Sequence, residues 1–340
     1  MAKLRQTRFS MYVKRIKDFL KRRPHRSFRL TRRRDSNRSL KLPAYFAYTN
    51  YVVKTIWHNR ITLGLLALTA AIITALMVGI ASQDTYSTLK NTLNLTSGTI
   101  FSGALGEIGK AGLLFVTSAT GGISQSLTDV QQVYAGLITI LTWLTSVWLL
   151  RNILAGHKVK LRDGLYSAGA PIVSTFIVLL VFVVQLLPIA LALIGYSAAS
   201  ASGLLTGGVE AMLFWVVALL LAMLSLYWIT STFFALIIVT LPGMYPFRAL
   251  KVAGDMVVGR RLRIVYRLLW GGLNIVVVWA LIMISVIMID SWIKSIWTAI
   301  AWFPTLPIVL LALTTLTVIF ASSYVYLLYR KVVIDESEPA

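Results

Sequence analysis

The chain of 340 residues has no cysteine, three histidines and only 12 acidic residues. The absence of cysteine excludes disulfides, thiolate metal sites and cysteine nucleophiles. The histidines (His25, His58 and His157) lie far apart and beside basic residues, so we predict no metal site and no cofactor. The sequence also lacks a phosphate-binding loop, an HExxH pattern and a GxSxG motif, and nothing places two carboxylates together. These absences predict a protein that is not an enzyme.

Charge itself is scarce, since charged residues make up 13% of the chain and hydrophobic residues 57%. Soluble domains are about one quarter charged, so this composition is typical of an integral membrane protein. Basic residues nevertheless outnumber acidic ones by 33 to 12, which gives a net charge of +21. With so little polar surface, this charge has to be concentrated in loops and tails.

Six apolar segments are long enough to cross a bilayer. The first follows a very basic leader and has the length of a spanning helix, so we interpret it as a permanent span rather than a signal peptide. The predicted fold is all-α: a polytopic bundle of six transmembrane helices within 61–330, with basic amphipathic interfacial helices and a short acidic tail, 331–340. The predicted spans are 61–80, 133–154, 170–194, 211–240, 268–289 and 304–329.

The distribution of basic residues predicts the orientation of these spans. If six spans alternate in direction, 30 of the 33 lysines and arginines lie on the side of both termini. Only Lys90, Lys110 and Lys294 lie on the other side. Positive charge marks the cytoplasmic side, so we predict a multi-pass protein of the bacterial cytoplasmic membrane with both termini inside the cell. An odd number of spans would destroy this asymmetry.

The N-terminal arm, 1–60, is predicted to be cytoplasmic and to contain amphipathic interfacial helices. Residues 1–42 carry sixteen lysines and arginines, and an apolar face recurs at helical spacing up to Pro24. A second helix, 44–59, follows Pro43. The arm suits an anionic lipid surface, and binding of nucleic acid or a ribosome, or docking to an acidic protein, are open alternatives. The second helix offers interfacial contacts through Tyr45, Tyr48, Val52 and Trp57.

An outer segment, 82–132, follows the first span and is rich in serine, threonine, glycine and asparagine. Inside it, a weakly apolar stretch carries a glycine at every third position from Gly103 to Gly112. Charged residues near the bilayer centre are costly, so its Glu107 and Lys110 favour a surface or partly re-entrant helix over a full span. Thr128 and Gln131 predict a capping box just before the second span.

The candidate binding site is basic and lies on the predicted cytoplasmic side. Between the fourth and fifth spans, the turn 241–247 precedes a segment that we interpret as an amphipathic helix on the membrane surface. Another basic loop precedes the third span. The alternative explanation for this charge is that these residues only orient the protein, as the positive-inside rule describes. The predicted lipid- or partner-binding residues are Arg248, Lys251, Arg260, Arg261, Arg263, Lys158, Lys160 and Arg162.

Polar residues inside the spans are few. Gln185 lies near Pro188, and Asn274 follows Gly271 and Gly272. The two polar residues could form an intramembrane polar site that lines a substrate path, or they could hydrogen-bond neighbouring helices. No span has an acidic or basic residue near its centre, which argues against a proton-coupled pump.

Two stretches carry a family resemblance: LAGHKVKLRDGLY at 154–166 and LIIVTLPGMYPFRALKVAGDMVVGR at 236–260. Over about 130–290 the chain resembles the membrane domain associated with bacterial glycerophosphoryl diester phosphodiesterases, and its stand-alone relatives. The resemblance implies a multi-helix bundle in which a basic loop precedes one span and an amphipathic helix precedes a later one. It implies a fold rather than an activity, because the catalytic barrel of some relatives has no room here.

We therefore expect a non-enzymatic accessory or structural membrane protein that binds anionic lipid headgroups or a partner through its cytoplasmic basic helices. A protein partner or a second copy of the chain is compatible with this hypothesis. Two alternatives remain at this stage. One is a transporter or permease subunit for a lipid or small solute, and the other is a membrane anchor for a ribosome or nucleic acid.

Overall fold

The computed structural model of the chain describes residues 42–79, 128–203, 205, 207–297 and 303–337. These parts of the chain are helices joined by turns, and they contain no strand. The basic arm before residue 42 and the glycine-rich outer stretch lie outside the described residues, and what we predict for them stays a prediction. In the described parts the helices are α1 (Tyr45–His58), α2 (Arg60–Met77), α3 (Asp129–Leu154), α4 (Leu161–Ala168), α5 (Ile172–Ala201), α6 (Gly208–Ile238), α7 (Pro246–Val257), α8 (Arg261–Ile296) and α9 (Thr305–Ser337).

Six of these helices, α2, α3, α5, α6, α8 and α9, are long and apolar enough to cross a bilayer. Each coincides with one predicted apolar segment, so the all-helical fold and the number of candidate spans are confirmed. All of these helices except α2 are longer than the predicted apolar segments, most clearly α8, which begins at Arg261 and ends at Ile296. Hydropathy marks only the apolar part of a helix, whereas helical hydrogen bonding continues into charged residues until a glycine, a proline or a cap stops it.

The helix predicted after Pro43 is confirmed as α1, but two of its expected interfacial residues belong to the core. Tyr48 and Val52 are fully buried in the main hydrophobic cluster. The Tyr48 hydroxyl donates to the Tyr324 carbonyl at 2.8 Å, while Tyr45 and Trp57 are exposed as expected. Helix α1 therefore packs into the main core together with the long helices.

The main core lies where α1, α7 and α8 pack against the ends of α3, α6 and α9. Close helix contact is possible at Gly271, because Tyr324 packs where a side chain would stand: a Cβ there would lie 2.9 Å from the Tyr324 ring. The Tyr324 hydroxyl donates to the Arg267 carbonyl at 2.8 Å, so the hydroxyl end of the ring is fixed to α8. A smaller cluster joins α8 and α9 around Trp279.

Helices α5 and α6 pack along each other and share a polar seam. The Thr232 hydroxyl donates to the Gln185 side-chain carbonyl at 2.6 Å. Near Pro188, which lies inside α5, the Ile189 N–H donates to the Ser225 hydroxyl of α6 at 3.3 Å. A hydrogen bond between apolar helices contributes about 0.6 kcal/mol in membranes, so the seam fixes register more than it adds stability.

Local sequence signals set the helix ends. The predicted capping box at Thr128 and Gln131 is present at the start of α3. At the other end of α3, Gly156 has a φ of +85°, and the His157 N–H donates to the Asn152 carbonyl at 3.0 Å. This is a Schellman motif, in which a left-handed glycine satisfies carbonyls left free by the last turn.

The link between α6 and α7 is a type II turn. The Met244 N–H donates to the Leu241 carbonyl at 3.2 Å, with Pro242 and Gly243 as the central residues. Gly243 has a φ of +73°, which this turn type requires at its third position and which glycine adopts without steric cost. The turn sets the direction in which the chain leaves α6.

Candidate anion-binding face at one end of the bundle

Charged side chains gather around the end of the bundle where α3 and α6 finish and where α5 begins; we call it the basic end. Arg151, in the last turn of α3, joins the two finishing helices. Its Nη1 donates to the Thr240 carbonyl at 3.1 Å and its Nη2 to the Thr240 hydroxyl. The short helices α4 and α7 are attached to this end by turns.

Helix α7 is amphipathic and runs back beside α6. Its Ala249 and Ala253 are buried, whereas Arg248 and Lys251 are exposed. The chain leaves α6 after Thr240. It contacts α6 again where Arg261 donates to the Tyr227 carbonyl. At a rise of 1.5 Å per residue, this point lies about 20 Å back along α6 from Thr240. Helix α7 therefore packs lengthwise on the bundle, and its placement at the membrane surface stays a prediction.

The predicted helix is also divided, and its basic residues separate into two groups. Gly259, with a φ of +81°, ends the segment that contains Arg248 and Lys251. Arg261 and Arg263 instead form the first turn of α8. The glycine is visible in the sequence, but glycine inside a basic amphipathic segment does not by itself predict a change of direction.

Helix α4 presents the second group of cations. Its Gly164 and Ala168 are buried, and a Cβ at Gly164 would lie 3.1 Å from Leu149, so α4 packs closely on α3. Arg162 and its neighbour Asp163 are exposed and 3.9 Å apart. An exposed pair of this kind contributes about 0–1 kcal/mol, so Arg162 stays available to solvent ions.

Six of the eight predicted binding residues are exposed, and the other two are not. Arg260 is only 2% exposed, which removes it from the surface set. Arg261 is half-buried: its Nη1 donates to the Tyr227 carbonyl at 2.9 Å, and its guanidinium carbon lies 3.9 Å from the centre of the Tyr227 ring. The exposed six are Lys158, Lys160, Arg162, Arg248, Lys251 and Arg263.

Arg267 is a buried cation whose role the sequence does not reveal. It is 7% exposed, and its guanidinium lies 4.0 Å from the centre of the Tyr45 ring and donates to the Pro43 carbonyl. Next to it, the Trp270 indole N–H donates to the Thr49 hydroxyl at 3.1 Å. Together these contacts fix the start of α1 against α8.

The electrostatics of this contact follow from burial. Removal from water raises the pKa of the Tyr48 hydroxyl well above its usual range, and the nearby Tyr324 and Tyr51 act in the same direction. Arg267, with its guanidinium 5.8 Å from the Tyr48 ring centre, acts in the opposite direction. Tyr48 therefore stays a neutral hydrogen-bond donor over the physiological pH range.

The two residues of the predicted intramembrane polar site are not brought together. Gln185 on α5 is engaged by Thr232 of α6. Asn274 on α8 donates to the Trp270 carbonyl of its own helix at 2.7 Å. The bond of Gln185 matches the packing alternative, whereas the bond of Asn274 stays within its own helix. Neither residue lines the cavity at the basic end.

Arg151 is the polar residue that sequence reasoning missed. Its position at the end of a span is typical of orientation by charge, and its partner Thr240 lies 89 positions away. Only the fold shows that the guanidinium is held in one place. Among the described residues, no three histidine, aspartate or glutamate side chains are grouped as metal ligands would be.

A comparison of the chain with family models, with curated proteins and with solved structures finds no match in any of the three. The resemblance to the phosphodiesterase-associated membrane domain therefore stays a prediction.

Proposed function

We propose that this chain is a six-span accessory protein of the bacterial cytoplasmic membrane, without enzymatic activity, that holds anionic lipid headgroups against exposed cations at its basic end. Both termini lie in the cytoplasm in this proposal. The observation that carries it is the group of six exposed lysines and arginines on and beside α4, α7 and the start of α8. The same segments contain only two acidic residues, Asp163 and Asp255.

The energetic argument rests on the difference between exposed and buried cations. A lysine or arginine near an anionic leaflet contributes about 1 kcal/mol. Arg261 and Arg267 are held by protein carbonyls and aromatic rings, so their removal would damage the fold. The six exposed cations are free of such roles, apart from the weak contact between Arg162 and Asp163, and they can be replaced without loss of packing.

The test is a variant in which the six exposed cations become glutamine: K158Q, K160Q, R162Q, R248Q, K251Q and R263Q. The protein is reconstituted in phosphatidylcholine bilayers that contain a small fraction of labelled phosphatidylglycerol. Energy transfer from its ten tryptophans reports the local enrichment of that lipid. We expect enrichment around the unmodified protein, its decrease when salt is raised from about 0.1 M to about 1 M, and its loss in the variant.

The matched control changes charge in the opposite direction at the same surface. The variant D163N/D255N removes the two acidic residues, so it should enrich phosphatidylglycerol at least as strongly as the unmodified chain. If the six-glutamine variant and the unmodified chain enrich the lipid equally, the surface cations only orient the protein and the proposal is wrong.

A further inference from the structure

A cavity of about 360 Å³ opens at the basic end, beside helix α4 and the turn that precedes α7. Its walls come from the end of α3, the end of α4, the start of α5 and the turn after α6. The volume is within the range of about 300–1,000 Å³ typical of small-molecule sites. Six of its lining residues carry the argument: Trp148, Arg151, Ser167, Ser174, Thr240 and Met244.

Arg151 is the single charged residue among those that line this cavity. Its two bonds to Thr240 use two of the five N–H donors of a guanidinium, and Tyr326 lies within hydrogen-bonding reach of it. No carboxylate among the described residues forms an ion pair with it. A half-buried charge is costly unless a counter-charge is near, and the cavity is where one would bind.

The guanidinium is held in place before any ligand arrives. The Thr240 hydroxyl donates its proton to the Ile237 carbonyl at 2.7 Å, so its oxygen lone pair is directed to Arg151. Because the Thr240 backbone carbonyl also accepts from Arg151, two acceptors on one residue fix the guanidinium plane. A fixed arginine loses little side-chain entropy when it binds an anion.

The rest of the lining suits a phosphate attached to an apolar group. Ser167 and Ser174 line the cavity together with Arg151, and hydroxyl and guanidinium donors are groups that bind phosphate oxygens. Trp148 and Met244 supply an apolar wall. A carboxylate would use the arginine, but it has fewer oxygens to offer to the serines.

We infer that this cavity binds one phosphate group, with Arg151 as its counter-charge and Ser167 and Ser174 as further ligands. The phosphate belongs either to a lipid headgroup or to a free small phosphate. The inference deepens the proposed function and rests on it for the source of lipid at this end. Binding in the cavity differs from binding at the surface, because the exposed cations attract many lipids weakly, whereas the cavity binds one group saturably.

The experiment uses the full chain, delipidated in a neutral detergent, and three probes: phosphatidylglycerol in mixed micelles, glycerol 3-phosphate and inorganic phosphate. Binding is followed by tryptophan fluorescence, since Trp148 lines the cavity. We expect saturable binding of one equivalent. Phosphatidylglycerol binding that the two soluble probes do not displace identifies a lipid headgroup, whereas saturable binding of a soluble probe identifies a free phosphate.

Two variants test the assignment by different means. R151Q removes the counter-charge and should weaken binding by at least about tenfold, as loss of a hydrogen bond to a charged group predicts. S174L fills the cavity and leaves the bonds between Arg151 and Thr240 intact, so it should abolish binding in a folded protein. If R151Q fails to fold, the result with S174L shows whether the cavity is the binding site.

The six-glutamine variant separates this inference from the proposed function. It should keep the saturable site at high salt, even where lipid enrichment in bilayers is lost. If enrichment survives in that variant but R151Q and S174L lose saturable binding, the proposed function fails and the cavity assignment stands. Absence of saturable binding by all three probes, or binding unchanged in S174L, overturns the cavity assignment.

Discussion

At the scale of single residues, arginine and lysine play different roles at the basic end. The cations held inside the protein, such as Arg151, Arg261 and Arg267, are arginines, whereas the lysines of α4, α7 and their flanks are exposed. The guanidinium is planar, offers five donors and stacks on aromatic rings, while an ammonium is a strongly hydrated point charge. Arginine can therefore connect helices where lysine stays in solvent.

A substitution at Gly271 tests how tightly α8 and α9 pack against each other. A Gly271→Ala change places a methyl group 2.9 Å from the Tyr324 ring, and Tyr324 is held by its own hydrogen bond. The clash should cost about 1–3 kcal/mol, which exceeds the gain of about 1 kcal/mol in helix propensity. We expect a lower free energy of unfolding in mixed micelles.

The neighbouring glycine is the control for this prediction. A Cβ at Gly272 meets nothing within 4 Å, so Gly272→Ala should leave stability unchanged or raise it by up to about 1 kcal/mol. Equal stabilities of the two variants would show that α8 and α9 do not meet at Tyr324 as described.

At the scale of elements, α7 is positioned by the turn before it and the glycine after it. The turn through Pro242 and Gly243 directs the chain back along α6, and the chain turns again at Gly259 before α8 begins. The small residues Ala249 and Ala253 allow α7 to lie close to its neighbours. Exposure of Arg248 and Lys251 therefore depends on backbone geometry outside the helix that carries them.

Gly243→Ala tests this dependence. Alanine at a φ of +73° costs about 1–2 kcal/mol in the left-handed region, so the turn should loosen and α7 should separate more often from α6. Trypsin cleavage after Arg248 and Lys251 should become faster. Gly254→Ala is the control, because a Cβ there meets nothing within 4 Å; equal cleavage rates in both variants would contradict the role of the turn.

The elements also show what the sequence can and cannot predict. Apolar length predicted the six long helices, and Thr128 with Gln131 predicted a cap, because both signals are local. The burial of Arg260 and the contact of Arg261 with Tyr227 were not predictable, since the surrounding groups come from distant segments. Gln185 and Asn274 looked equivalent in sequence, but only the first bonds a neighbouring helix.

At the scale of the whole molecule, packing is uneven along the bundle. The large core lies at the basic end, where α1 and α7 fill the space around the ends of the long helices. Elsewhere α5 and α6 expose leucine, valine and phenylalanine side chains along their length, as lipid-facing helices do. A packed basic end on an apolar bundle is consistent with a protein that meets the membrane surface at that end.

The most direct test of this account is the side of the membrane on which the basic end lies. Because the chain has no cysteine, single cysteines can be introduced without background. Tyr166, at the basic end, is 89% exposed, and Trp297, at the far end of α8, is 64% exposed. With a membrane-impermeant maleimide, we predict that W297C is labelled in intact cells and Y166C only after the cells are opened. Labelling of Y166C in intact cells would contradict the orientation and every cytoplasmic role proposed for the basic end.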